Sequence, residues 1–402
     1  MSQEQPRIAP SRLSHLDLLR GLAALAVAAG HLRAFLFVDF GQVQSAGVFD
    51  RMVYLATGLG HQAVMVFFVL SGYLVGGSVL TAFEDGRWSW RSYALRRLTR
   101  LWIVLLPAMV LTLALDWVGQ GLSPAGYQGA FASVHHSGPT PDSPADWAQS
   151  TFWGNIFFLQ TITVGIFGTN GPLWSLAYEF WYYLLFPLFW SIVAIGRAGH
   201  TAVAPDAVAR IVRAAIPAII LGTLIWWLPL GLLWNGMIWL FGVGAFWLGR
   251  RTFVRRVCGH DAWLIGAGGL SLASLAASKT SSVFGSDAFI GFAFALWVVG
   301  LASTSREVPW VRSAGVALSD ISYTMYVVHF PLLAFIFYCY LGGEQLQPSF
   351  GGYARFALLL AAVLTCSKVV WWCFERNTLT MRNRLDGLLP GRAAGGATNR
   401  PA

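Results

Sequence analysis

Charge is what this sequence has least of. Only 11% of its 402 residues are Asp, Glu, Lys or Arg, while 56% are hydrophobic and 19 are Trp. A soluble domain carries roughly 25% charged residues. With a mean hydropathy of +0.58, the chain has more apolar surface than one water-soluble core of this size could bury. The segment Gly119–Trp174 contains no Lys or Arg at all. Cysteine is scarce too, and Cys258, Cys339, Cys366 and Cys373 suggest no disulfide framework. A Gly-rich phosphate loop, metal-spaced His/Cys clusters and heptads are missing, so no metal is expected. No internal repeat is evident, which counts against a transporter built from inverted repeats.

What the sequence does have is apolar runs of about 20 residues, the length that spans a bilayer. Ten spans are expected, near 16–37, 54–80, 99–118, 175–196, 211–230, 232–250, 262–278, 286–304, 320–341 and 353–374. The fold class expected is all-α, a polytopic transmembrane helical bundle. The net charge of +9 would suggest nucleic acid in a soluble protein. Here the positive-inside rule accounts for it, so no nucleic-acid partner is expected. With both termini cytoplasmic, 21 basic residues fall in inner segments against three outside, Arg51, Lys279 and Arg355. That count puts Gly119–Trp174 outside. Within it, Trp147–Phe167 reads as a re-entrant or interfacial helix, because a full crossing would invert every later loop. The stretch AVAAG resembles a signal-peptidase site, but nine further spans argue for a retained first helix. One transmembrane domain, 16–376, is expected between a flexible N-terminus, 1–15, and a flexible tail, 377–402.

Ionisable groups inside spans are costly and usually functional. In LDLLRGLAALAVAAGHLRAF, Arg20 and His31 are eleven residues apart. They share one helix face and lie about 16 Å apart along the axis. Arg20 could equally snorkel and His31 bond a neighbouring carbonyl. Ser71-Gly72 lies mid-span, where small residues also serve close helix packing. Arg97 and Arg100 share a face at the inner mouth of the third span; ordinary inner charges would explain them, and so would a phosphate clamp. Glu179 sits among Trp174, Tyr178, Trp181, Tyr182 and Tyr183, where a carboxylate is either neutralised or poised to carry a proton. His329 lies mid-span just before Phe330-Pro331, as a core histidine or a functional one.

In order, LDLLRGLAALAVAAGH, FFVLSGYL, RRLTR, LWSLAYEFWYYLLFP and SYTMYVVHFP resemble the membrane acyltransferase-3 family, from about Leu16 to Glu375. The closing FERN departs from it, with Asn377 where the family commonly has Pro. That departure weakens any role for Glu375. The resemblance implies an O-acyltransferase of the inner (plasma) membrane. It would move an acyl group, acetyl expected, from cytoplasmic acyl-CoA to a hydroxyl of an extracytoplasmic or lipid-linked glycan. His31 is the implied general base, with Glu179 orienting it or the acceptor hydroxyl. Arg20, Arg97, Arg100, Ser71 and Gly72 are implied on the donor side, and Trp174, Ser175, Tyr178, Tyr326 and His329 on the acceptor side. A small hydroxylated metabolite such as a macrolide is the alternative acceptor. A proton-coupled transporter or flippase is the alternative of another class.

Overall fold

The computed structural model describes residues 13–135, 137–198, 207–280, 282–306 and 308–388. Among them the architecture is helical, with no strand and only isolated bridges such as Phe37 to Leu346. In chain order, α1 (Ser14–Leu36) is followed by α2 (Val48–Thr57) and α3 (Gly60–Ser71). Helix α3 passes through a π turn, Gly72–Gly76, into α4 (Gly77–Glu84). Next come α5 (Trp90–Leu122), the short α6 (Pro124–Tyr127), α7 (Ala132–His135) and α8 (Gln149–Ile156), then α9 (Leu173–Ala198). The second half holds α10 (Ala207–Trp227), α11 (Leu230–Gly249), α12 (Thr252–Cys258), α13 (Asp261–Ala277) and α14 (Asp287–Ser303). It closes with α15 (Pro309–Cys339), α16 (Phe350–Cys373) and α17 (Thr378–Leu388).

Seven stretches are long and apolar enough to cross a membrane: Ser14–Leu36, Val48–Glu84, Trp90–Leu122, Leu173–Arg197, Leu230–Gly249, Pro309–Cys339 and Phe350–Leu388. Three shorter apolar helices, Ile211–Trp227, Asp261–Ala277 and Asp287–Ser303, stand at three other expected positions. Large apolar side chains such as Val110, Trp117 and Trp226 point out of the bundle, as helices facing lipid require. The expected flexible ends begin and finish outside the described residues. Helix α1 starts at Ser14, and the tail opens with α17 before leaving them at 389.

Helices α1 and α15 form the central pair. Gly315 lies against Ser14 and Leu18, Gly21 against Leu318, and His31 against His329. Position advances together along both, so they run parallel. A Cβ on Gly21 would stand 2.4 Å from the Leu318 Cβ, so glycine lets the two backbones approach.

The π turn after Ser71 crosses α11 just as closely. A Cβ on Gly72 would lie 1.9 Å from the Trp239 carbonyl oxygen, and one on Gly242 would lie 2.0 Å from that of Val69. Gly72→Val should therefore push the helices apart and destabilise the bundle by about 1–3 kcal/mol. Thermal unfolding in detergent would show the drop; an unchanged transition would mean that the crossing yields freely.

Two helical prolines tie elements together. A proline has no N–H to give the carbonyl four residues earlier, and an orphan carbonyl in a lipid-facing bundle costs several kcal/mol. Pro187 leaves the Tyr183 carbonyl open, and the Tyr93 hydroxyl donates to it at 2.9 Å. Pro331 leaves the Val327 carbonyl open, and the Asn170 amide donates to it at 2.8 Å.

The segment between α5 and α9 folds back onto the bundle. Buried Asp116, near the end of α5, accepts from the Thr169 backbone N–H at 2.8 Å, the Thr169 hydroxyl at 2.7 Å and the Trp147 indole at 3.0 Å. In Trp147–Phe167 only α8 is helical; beyond it Phe158 and Thr161 take positive φ, 59° and 62°. The buried amides of Asn155 and Gln160 hold this irregular backbone by bonding the carbonyls of Gly165 and Leu173. Non-helical chain is tolerated in such a bundle where protein satisfies its polar groups.

Candidate active site

A cavity of about 200 Å³ opens where α1, the α3–π turn, α5, α9 and α15 meet. It brings together six of the residues singled out in the sequence: Arg20, Ser71, Arg97, Arg100, Glu179 and Tyr326. Tyr183, Ser322 and Tyr323 complete its polar lining.

The arginines stand along this cavity on three different footings. Arg20 bonds Asp17 at 3.2 Å, one turn earlier on α1, and reaches the Ser319 carbonyl at 3.5 Å. The charges of Arg100, Asp17, Glu375 and Asp320 also act on it. Arg97 lies over the rings of Tyr93 and Tyr183, 5.7 Å from each centroid. It also donates to the Ser78 hydroxyl at 3.3 Å. The buried Nε atoms of both Arg20 and Arg97 have no hydrogen-bond partner among the described residues. Arg100 is exposed at the cavity wall. A second cavity, about 500 Å³, shares Leu74 with the first and is lined by Ser78, Thr81, Arg87 and Arg96.

Glu179 terminates a chain of donors. The Tyr183 hydroxyl, one turn along α9, donates to its carboxylate. Ser71 lies 3.2 Å from the Tyr183 oxygen, and the Trp239 indole donates to Ser71 at 3.1 Å. With the Tyr183 proton given to Glu179, the contact between Ser71 and Tyr183 is a hydrogen bond only if Ser71 is its donor. Glu179 bonds Tyr183 in this arrangement, and His31 is bonded by another residue.

That residue is His329. Nδ1 of His31 and Nε2 of His329 are 2.9 Å apart, and the rings lie edge to edge, their centroids 5.1 Å apart with 10° between planes. Phe330 closes the edge at 5.0 Å. The pair does not line the cavity. Tyr326, which does, stands 6.0 Å from the His329 ring. It bonds Ser175 at 2.6 Å and donates to the Pro172 carbonyl at 3.1 Å.

Gly72, Trp174 and Tyr178 lie outside this lining. Gly72 serves the crossing with α11. Trp174 and Tyr178 meet edge to face at 5.2 Å, and Trp174 packs on Phe68. The sequence names Tyr183 only among the aromatics around Glu179, although as its i+4 neighbour it must share its face. Glu375, whose role the FERN departure weakened, is buried and accepts from Thr324 at 2.5 Å. Its carboxylate acts on both Arg20 and Arg100.

No curated protein and no solved structure matches the chain. A family described as "Acyltransferase domain", acyltransferase-3, matches residues 13–372. That range takes in the cavity, its arginines, Glu179 and the histidine pair, so the chain belongs to the membrane acyltransferase-3 family.

Proposed function

We propose that the protein is an O-acyltransferase that takes an acyl group, acetyl in the first instance, from acyl-CoA on its arginine-bearing side. It delivers that group to a hydroxyl of a glycan or lipid-linked acceptor on the other. In this reading ten helices span the inner (plasma) membrane and both termini are cytoplasmic. The observation that carries it is the convergence of Arg20, Arg97 and Arg100 on one cavity with Glu179 and Tyr326, one ring away from the His31–His329 pair.

The residues fit the chemistry of such a donor. Coenzyme A carries phosphates at one end and a thioester at the end of a thin arm. Guanidinium forks suit the phosphates, and Ser78, Arg87 and Arg96 extend a polar surface beyond Arg97. The arm then lies past Ser71 toward Tyr326. Enclosure by Leu70, Leu101 and Leu176 keeps water from the thioester. As the acceptor O–H breaks, His31 takes its proton and the oxygen bonds the acyl carbon. The C–S bond then breaks, and the thiolate collects the proton to leave as free coenzyme A. Tyr326 and Ser175 stand where the acyl carbon and the acceptor meet.

The test is release of free coenzyme A from acetyl-CoA by the purified protein in liposomes. Methyl glucoside, lipid-linked oligosaccharide and a macrolide are offered in turn as acceptors. Acceptor-dependent release, with the ester found by mass spectrometry, is the expected result. Uptake of an acceptor without any thiol release would make the protein a transporter instead.

A further inference from the structure

We propose that His329 is a positioning residue that fixes the tautomer of His31. It holds the His31 proton on Nδ1 and leaves the basic lone pair on Nε2. The inference rests on the reading of His31 as general base and names the device that makes it one.

The Met325 carbonyl has no proton to give. Nδ1 of His329 lies 2.9 Å from the Met325 carbonyl oxygen, one turn earlier on α15. A carbonyl only accepts, so His329 carries its hydrogen on Nδ1. The ring is wholly buried, and no carboxylate pairs with it among the described residues, so no counter-charge for a second ring proton stands beside it. A neutral ring protonated at Nδ1 has its lone pair on Nε2. That nitrogen faces Nδ1 of His31 at 2.9 Å, and the pair is bonded only if His31 is the donor. The His31 lone pair is then on Nε2, the opposite edge of the ring.

A backbone carbonyl therefore dictates, through two rings, which nitrogen of His31 acts as base. When His31 gains a proton, its Nδ1–H bond to His329 becomes charge-assisted and strengthens. A carboxylate in the place of His329 would hold the same tautomer, but would add a buried negative charge. His329 acts as a neutral group, and the near-coplanar setting of the two rings, 10° apart, puts the His31 N–H and the His329 lone pair in one plane.

Solid-state ¹⁵N NMR of histidine-labelled protein in bilayers reads the tautomer directly, with His31→Gln assigning the signals. The expected spectrum has His31 protonated at Nδ1 and bare at Nε2; the reverse pattern would overturn the proposal. Turnover is read in parallel as coenzyme A release from acetyl-CoA, with water and with methyl glucoside. His329→Gln keeps a carbonyl that reaches His31, whereas His329→Asn is too short. The Asn variant should lose roughly 10–100-fold in kcat with donor KM unchanged, by analogy with the range for outer-shell partners of metal-ligating histidines. The Gln variant should recover most of that loss. Equal activity in both variants, or an effect confined to acceptor KM, would return His329 to packing or acceptor contact. A wild-type rate from His31→Ala would instead remove the base reading itself and leave the tautomer result standing alone.

Discussion

Alanine at position 31 should lower the rate of acyl transfer by roughly 10²–10⁴-fold, the contribution of a positioned general base. The His31 ring lies edge to edge with His329 and is packed by Phe330, so truncation leaves a small cavity and the bundle still assembles. Donor binding should survive, because His31 lies about 16 Å along α1 from Arg20, the donor-side residue on the same face. The signature is a collapse in kcat with donor KM retained, read as coenzyme A release from protein in liposomes. A variant that turns over at the wild-type rate would show that the proton goes elsewhere.

The double variant Arg97→Ala, Arg100→Ala should act on the other kinetic parameter. Hydrogen bonds to charged groups contribute about 1.5–3 kcal/mol each. Arg97 is half-buried and lies over two tyrosine rings, whereas Arg100 is exposed and partly screened. Their combined loss is therefore set at about 3 kcal/mol, roughly a 10²-fold rise in donor KM. Acceptor KM should stay near its starting value, and the wild-type donor KM should rise with ionic strength as screening weakens the contact. Equal rises for donor and acceptor would mean that the pair stabilises the fold. Arg97→Lys is an informative companion, since it keeps the charge but loses the planar fork that lies over Tyr93 and Tyr183.

Much of this arrangement is legible in the sequence, and the exceptions have physical reasons. Apolar run lengths locate the helices because the spanning distance sets them. The spacing of Arg20 and His31 puts them on one face because a helix has a fixed pitch. Pairing across the bundle has no such ruler. His31 and His329 are 298 positions apart, and only the parallel packing of α1 on α15 brings them level. Glu179 shows the same limit. The sequence leaves it to orient His31 or the acceptor hydroxyl, and local geometry gives its carboxylate the Tyr183 hydroxyl, one turn away. Gly72 stands beside Ser71 in its motif, and backbone proximity to Trp239 accounts for its lack of a side chain. The segment Trp147–Phe167 looks helical by composition. Its actual path depends on buried amides at Asn155 and Gln160 that no periodicity announces.

The carbonyl freed by Pro331 belongs to the same turn of α15 as His329, and the amide that fills it comes from the segment running into α9. Lifting that segment would strand an oxygen in a medium without water. Pro172, two residues after Asn170, also receives the Tyr326 hydroxyl. The segment leading into α9 and the turn of α15 that carries His329 are thus latched: displacing one must tug on the other.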